Sequence, residues 1–579
     1  MKTNIPFILI LVLIAGSLLL AFFGVSFSLD VFRTQPLILL LLVGAIGLAY
    51  QSIIYRKERA NLPLVILLLL LLIISYQFIL SHLTFELYSK ILLFLTYFIL
   101  SFQYIQKQQE KGVFEIALFI ICLIVILSII SLFQYLKVVE TDSRFSIVGI
   151  FDNPVGVASF LSISLPYLFF VFQKNKMNNT FIKLIFLAII ILSCGITFLS
   201  GSRSGIISTV LAVLLSSSFI LRKKKILLIL CIIPLLLPLY TLKKDSADGR
   251  MFIWTNTIRI IENNMWLGAG YDGFTKEYMT YQAKYFHSME GNNQTKRIAG
   301  NIRDPLNEYL GFILTWGVFG VLLMVIFIVY TIYIYKQNKS PFKNYAIISL
   351  IALGVFSFFS YPLSYPINLV FLAVNLAIIL CPTSRNKDPN IASNIFANII
   401  ICLSFMLSLY SIYNENLWKK TETLISDEST NISISEYSEL MQKGYFKNNR
   451  DFLYDYAMVL YENKEYSKCL LVLEKCENYI KNYNTQMIAG YCYKEIGQPK
   501  ESKQCFYMAH YMVPHKFVPL HELMEEAYKR NDRETAMAMA KIIIDKPIKI
   551  KSYKVNMVKK RANEILTILN KKGGANWKN

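Results

Sequence analysis

Five residues in the middle of the chain have the types that could do chemistry together: Arg203, Arg250, His287, Asp304 and Glu308. Arg203 stands in Leu199-Ser200-Gly201-Ser202-Arg203-Ser204-Gly205, a small-residue turn between two apolar runs. Arginine near hydrocarbon is expensive, which points to a function there. Its guanidinium fork fits phosphate oxygens in a bidentate way, and small neighbours let a bulky anion approach. The competing reading is an arginine that snorkels from a helix end. Arg250 follows Asp248-Gly249 and opens an apolar-aromatic pattern, Phe252, Ile253, Trp254, Thr257 and Ile258. That pattern predicts an amphipathic helix on a membrane surface with Arg250 in its first turn. A plain interfacial basic residue would look the same. Trp254 and Trp266 read as interfacial anchors rather than sugar platforms. A proton acceptor would come from His287, Asp304 or Glu308, because burial and neighbours tune such groups to that role. Glu308 is the preferred base. It opens a long apolar run, where it would serve equally to cap a helix or to pair with Arg303.

The elements that must position these residues are membrane spans. Of 579 residues, 55% are hydrophobic and 17% charged, which fits a polytopic, all-α membrane protein. Candidate spans fall at 5–23, 36–54, 62–81, 88–105, 113–135, 155–172, 181–199, 204–221, 225–241, 308–335, 344–360, 364–381 and 391–413. The first reads as a retained anchor, since no small-residue cleavage site follows it. Basic loops alternate with loops poor in charge. Arg56-Lys57-Glu58-Arg59, Lys107 with Lys111, Lys174 with Lys176, Arg222-Lys223-Lys224-Lys225, Lys336 with Lys339 and Lys343, and Arg385 with Lys387 share one side. The positive-inside rule makes that side cytoplasmic. The long polar loop 242–307 and everything after the last span then lie outside, in the periplasm of a Gram-negative cell. A long loop among short ones is where function concentrates. The net charge of +21 is spent on orientation, so no nucleic-acid partner is expected.

Three regions follow: a membrane domain at 1–413 carrying the 242–307 loop, a linker at 414–448, and a helical tail at 449–579. In the tail, Gly490, Tyr493, Gly497, Phe506, Ala509 and Pro514 match the spacing of the tetratricopeptide repeat, a hairpin of about 34 residues. Lys464 and Asn531 recur near that period on either side of Gly497, predicting about three hairpins stacked as a solenoid. Cys469 and Ala536 would hold the small-residue position of the second helix. A plain helical cap is the alternative. Nine cysteines are read as packing residues rather than disulfide partners, and no CxxC or HExxH pattern marks a metal site.

There is no Walker A lysine, no GxGxxG and no Gly-x-Ser-x-Gly elbow. An extracytoplasmic enzyme without these would draw on an activated substrate such as a lipid-diphosphate sugar, whose leaving group needs fixed cations. The ordered set Asn153-Pro154, Ser202-Arg203, Arg250 with Trp254, Gly268-x-Gly270 then Phe274, and Asn307-Glu308-Tyr309-Leu310 with Trp316-Gly317-Val318-Phe319-Gly320 resembles the O-antigen ligase and polymerase superfamily. The resemblance covers roughly residues 140–330. It implies a GT-C-like membrane glycosyltransferase of about 12–13 spans in the bacterial inner membrane. Such an enzyme moves a glycan from undecaprenyl diphosphate to a hydroxyl of lipid A-core, of a growing polysaccharide, or of a protein Ser/Thr. It also implies an inverting reaction without metal or other cofactor, with Arg203 and Arg250 on the diphosphate. The family's histidine beside the Asn-Glu-Tyr-like element is missing: the stretch reads Asp304-Pro305-Leu306-Asn307-Glu308. The repeats would engage a bulky acceptor or a protein partner. The competing function is a non-enzymatic envelope scaffold or a lipid-linked glycan transporter. A transporter would show internal symmetry or deep intramembrane charges, which are not seen here.

Overall fold

The computed structural model describes residues 31–54, 85–141, 145–174, 180–220, 244–288, 291–382, 391–426 and 430–571. Among them the chain is all-α, without strands. The candidate spans at 5–23, 62–81 and 225–241, together with His82 and Cys231, lie outside the described residues. Each of the other ten candidate spans coincides with a helix. These are α1 (Val31–Ile54), α2 (Phe85–Gln108), α3 (Glu110–Tyr135), α4 (Pro154–Lys174), α5 (Thr180–Leu199), α6 (Arg203–Ile220), α10 (Glu308–Gln337), α11 (Pro341–Phe359), α12 (Pro366–Leu380) and α13 (Ile391–Ser426). Between α6 and α10 the loop forms α7 (Lys244–Asn263), α8 (Gly273–His287) and α9 (Asn293–Ile298). Residues 414–448, read from sequence as a linker, carry the end of α13 and then α14 (Thr430–Gln442) and α15 (Gly444–Lys447). The tail continues with α16 (Arg450–Glu462), α17 (Tyr466–Cys476), α18 (Tyr483–Glu495), α19 (Pro499–Met512), α20 (Val518–Lys529), α21 (Arg533–Asp545) and α22 (Tyr553–Lys571).

The chain divides into two compact units. The first draws on Met1–Leu242, Leu306–Tyr309 and Phe319–Leu417. Its centre is α4, whose sequence mixes small and large residues so that neighbours approach closely. A Cβ on Gly205 of α6 would lie 2.6 Å from the Cβ of Ala158. In hydrocarbon, helices gain little from apolar burial and are tied instead by close packing and polar side chains. Here Ser349 donates to the Ile163 carbonyl at 2.7 Å, Asn375 to Ser349 at 3.1 Å, Tyr167 to Asn375 at 2.7 Å and Asn368 to Ser159 at 2.8 Å. Ser208 of α6 donates to the Ala352 carbonyl of α11 at 2.7 Å. By contrast α5 and α10 turn many apolar side chains outward, including Leu187, Ile191, Leu322 and Val329.

The second unit joins Lys243–Pro305, Leu310–Val318 and Trp418–Asn579, so the large loop and the tail fold together. Three antiparallel hairpins, α16/α17, α18/α19 and α20/α21, follow one another and α22 closes the row. Their turns hold Lys464, Gly497 and Asn531, all at positive φ (61°, 78° and 59°). These are the three positions that the repeat spacing marks, and the left-handed conformation explains the glycine and asparagine. Helix starts are capped: Asn449 on α16, Asn482 with Thr485 as a capping box on α18, and Asp532 on α21. Cys469, Ser502 and Ala536, at equivalent places in the second helices, are fully buried, and the described cysteines are free thiols.

Packing of loop on tail has a topological consequence. Both must face the same side of a membrane, so an even number of crossings separates them. The helices available are α10 to α13. Three are long enough to span, and α12, at 15 residues, is short of the usual ~20, so that four crossings satisfy the parity if α12 is counted among them.

Candidate functional site

Arg203 is the first residue of α6, in the first unit. The turn before it is built by serines and a glycine. Gly201 has φ +67°, Ser200 Oγ donates to the Thr197 carbonyl at 2.7 Å, and the Gly205 N–H donates to Ser202 Oγ at 3.3 Å. Ser202 is therefore the N-cap, and Arg203 emerges half-buried where the helix presents its positive end. A cation and a helix N-terminus at one point suit an anion.

Glu308 belongs to the same unit and opens α10. Asn307 caps the helix, accepting from the Tyr309 N–H at 3.0 Å. The Glu308 carboxylate accepts from the Leu363 N–H at 2.8 Å. It thus holds the short 3-10 turn Pro362–Ser364 between α11 and α12, a partner that the local sequence did not suggest. Tyr309 donates to the Gly354 carbonyl at 2.9 Å, and Leu306 takes a left-handed φ of 54°. A bulky residue in that conformation is strained, as backbones at functional sites often are.

Arg250, His287 and Asp304 belong to the second unit. The expectation that Arg250 lies in the first turn of its helix is corrected: α7 begins at Lys244, so Arg250 sits in the second turn. Asp245 and Ser246 start the helix well, and the single Gly249 is tolerated inside it at a cost of about 1 kcal/mol. Arg250 and Trp254 are four residues apart on one half-buried strip. The adjoining strip of α7 buries Ile253, Asn256, Thr257 and Ile260. Phe252 packs on Tyr285 and Phe286 of α8 at 5.1 and 5.5 Å, and Arg259 lies over Tyr285 at 5.5 Å. Asp304 is half-buried in the bend before Pro305. His287 ends α8, exposed, with its ring edge-on to Tyr511 of α19 at 5.0 Å.

Sequence reading missed how the tail braces this loop. Arg450 pairs with Asp272 at 3.1 Å, inside the Gly268–Phe274 turn segment. Thr275 donates to the Tyr479 carbonyl at 2.7 Å and accepts, through its own carbonyl, from the Lys481 N–H at 3.1 Å. Gln282, fully buried, donates to the carbonyls of Gly300 (3.0 Å) and Met512. His515 Nδ1 meets the Ala299 carbonyl at 2.8 Å. A glutamine within the buried stripe Tyr278, Met279, Ala283, Phe286 was the one local sign of such a partner.

The seam is also electrostatically distinctive. Loss of solvent pushes the His515 imidazole down to about 4, with Lys549 adding to it. Desolvation, then Lys546 and Lys296, pushes His510 down to about 3. Burial brings the Lys546 ammonium down to about 7, although it donates to the Lys516 carbonyl at 2.7 Å.

A second device ties the loop to α10. Gly317 breaks the helix with φ +59°, and a Cβ there would lie 2.4 Å from the Trp266 carbonyl oxygen. A Cβ on Gly268, φ +77°, would lie 2.5 Å from the Thr315 carbonyl oxygen. The Val318 N–H donates to the Met265 carbonyl at 2.9 Å and the Ala269 N–H to the Leu314 carbonyl at 2.7 Å. Two motif glycines recognised separately in the sequence are therefore one contact, backbone against backbone.

Residues 187–325 match the family model described as O-antigen ligase. That segment contains all five candidate residues and both glycines of the backbone contact. No curated protein and no solved structure matches the chain. With its helical membrane bundle and this matched segment, the chain carries a domain of the O-antigen ligase/polymerase superfamily, whose general work is glycan ligation or polymerisation at a membrane.

Proposed function

We propose that the protein transfers a glycan from an undecaprenyl-diphosphate carrier to an acceptor hydroxyl at the periplasmic face of the inner membrane. The acceptor is lipid A-core, a growing polysaccharide or a protein Ser/Thr. The observation that carries this reading is Arg203, half-buried at the serine-capped N-terminus of α6, where a cation and a helix's positive end coincide. Arg250, on α7, is the second cation for the same group. The sugar's anomeric carbon is attacked from the face opposite the diphosphate, so configuration inverts. The diphosphate leaves against the fixed charge of the arginines, without a metal.

The acceptor proton goes to a carboxylate. Glu308 accepts a hydrogen bond from the Leu363 N–H, which orients its carboxylate. Asp304 is next in line, and His287, engaged with Tyr511, is third. The three hairpins are read as tetratricopeptide-type repeats. They hold the catalytic loop and leave their other faces to an acceptor or a protein partner.

Transfer from a purified lipid-linked donor tests the reading. Arg203→Ala and Arg250→Ala should each lose about 10²–10³-fold, as for other fixed donors on a developing anion. Arg203→Lys should recover part of it, since a point charge lacks the fork. Full activity in either alanine variant at equal expression removes that residue from the mechanism. Alkaline phosphatase fused after Lys420 or at Gly291 should be active; silence at both would place loop and tail in the cytoplasm.

A further inference from the structure

The turn Met265-Trp266-Leu267, after α7, exposes three large apolar side chains in succession, at 53%, 71% and 49%. Nothing in its backbone makes it loose. The Gly268 N–H donates to the Asn264 carbonyl at 2.8 Å, and the Val318 N–H to the Met265 carbonyl at 2.9 Å. The Gly317 and Gly268 contacts described above leave no room for a side chain on either, so the turn's height along α10 is set.

That height is informative. Helix α10 has 30 residues, about 45 Å at 1.5 Å per residue, which exceeds a hydrocarbon thickness of ~30 Å. It breaks at Gly317. The unbroken part from Val318 to Gln337 is about 30 Å long, one full crossing. Val318 is then the first residue of the crossing, at the boundary between headgroups and acyl chains. Just beyond it Phe319 and Leu322 are exposed, as a lipid-facing helix requires. A turn hydrogen-bonded to Val318 stands at the same boundary.

We propose that Met265, Trp266 and Leu267 form a wedge inserted into the outer edge of the bilayer, with membrane lipid as its partner. Interfacial elements reach about 5–10 Å into the headgroup and acyl boundary, and tryptophan is suited to that depth. The wedge fixes the C-terminal end of α7, and through it Arg250, at the level where a lipid's diphosphate sits. The insertion itself does not depend on which glycan is transferred.

The full-length protein in phosphatidylethanolamine/phosphatidylglycerol vesicles tests this without any substrate. Tryptophan emission is recorded for the unaltered chain and for Trp266→Phe, and the difference is the signal of Trp266. Phosphatidylcholine brominated near the top of its acyl chains should remove at least half of that difference signal, while aqueous iodide should leave most of it. A difference signal quenched by iodide and untouched by brominated lipid would overturn the wedge. A folded Trp266→Phe variant, checked by an unchanged melting profile, keeps the comparison valid; should it melt early, a bimane label on Met265→Cys reads the same two quenchers.

Discussion

The two units bury polar groups in opposite styles. In the membrane unit many ties are neutral, with serine, asparagine and tyrosine bridging helices as between Tyr167, Asn375 and Ser349, although the fully buried Lys343 donates to the carbonyls of Ile379 and Cys381. In the loop–tail unit they are ionic and placed near water: Arg450 with Asp272, Lys494 with Glu522 at 2.8 Å, and Arg561 with Glu525 at 2.7 Å. Hydrocarbon makes an unpaired charge costly, so charge within it is confined to places with a purpose. Arg203, entering at the tip of α6, and Lys343, held on the carbonyls of Ile379 and Cys381, stand out against the mostly neutral ties for that reason. Arg250 lies among many charges, so its type alone says little. The lesson is that one residue type carries different information in the two units.

The largest effect expected from perturbing this contrast is at Glu308. Glu308→Gln keeps a carbonyl oxygen for the Leu363 N–H but cannot take a proton at neutral pH. If Glu308 is the base, turnover should drop about 10²–10⁴-fold with donor binding intact. A near-normal rate would reduce Glu308 to holding the 3-10 turn, and Asp304→Asn would become the decisive variant. His287→Ala should change the rate little in either case.

Next in size is the backbone contact. Gly317→Ala or Gly268→Ala sets a Cβ against a carbonyl oxygen and puts a side chain at positive φ. Each should destabilise the protein by about 1–3 kcal/mol, visible as a lower melting temperature. Gly249→Ala, where a Cβ meets nothing within 4 Å and the backbone is helical, should be neutral or slightly stabilising. Equal behaviour at the three glycines would refute the contact.

The Asp272–Arg450 pair is partly buried, at 11% and 29% exposure. Asp272→Asn with Arg450→Gln in a double-mutant cycle should give a coupling of about 1 kcal/mol, discounted for solvent. Hydrogen exchange in α8 should rise in both single variants. No change in α8 would separate the tail from the loop.

The smallest effect is with pH. His515 and His510 have lower pKa values in the fold than the ~6.5 of a free imidazole. The folded seam therefore binds fewer protons than the opened one. Its stability is present above about 6.5 and is lost as pH falls toward about 4 for His515 and about 3 for His510. Lys546, lowered to about 7, already weighs against the seam at neutral pH and is relieved as pH rises. Protection of α8 and α19 against hydrogen exchange, relative to the intrinsic rate at each pH, should fall between pH 7 and 5, and His515→Gln should blunt the response.

Much of this was legible in the sequence. Hydrophobic length placed a helix at every candidate span among the described residues, seven of them long and apolar enough to cross a membrane, because burial in lipid demands about 20 apolar residues whatever surrounds them. Repeat spacing marked Lys464, Gly497 and Asn531, because a left-handed turn restricts residue choice locally. The small-residue turn at Arg203 and the family motifs were equally local. What only the tertiary structure decided involves distant partners: Glu308 on Leu363, Gly268 on Gly317, Asp272 on Arg450, and Gln282 on Met512. Each depends on a pairing of segments tens or hundreds of residues apart. A periodicity reports which face of a helix is buried; only packing decides what it is buried against.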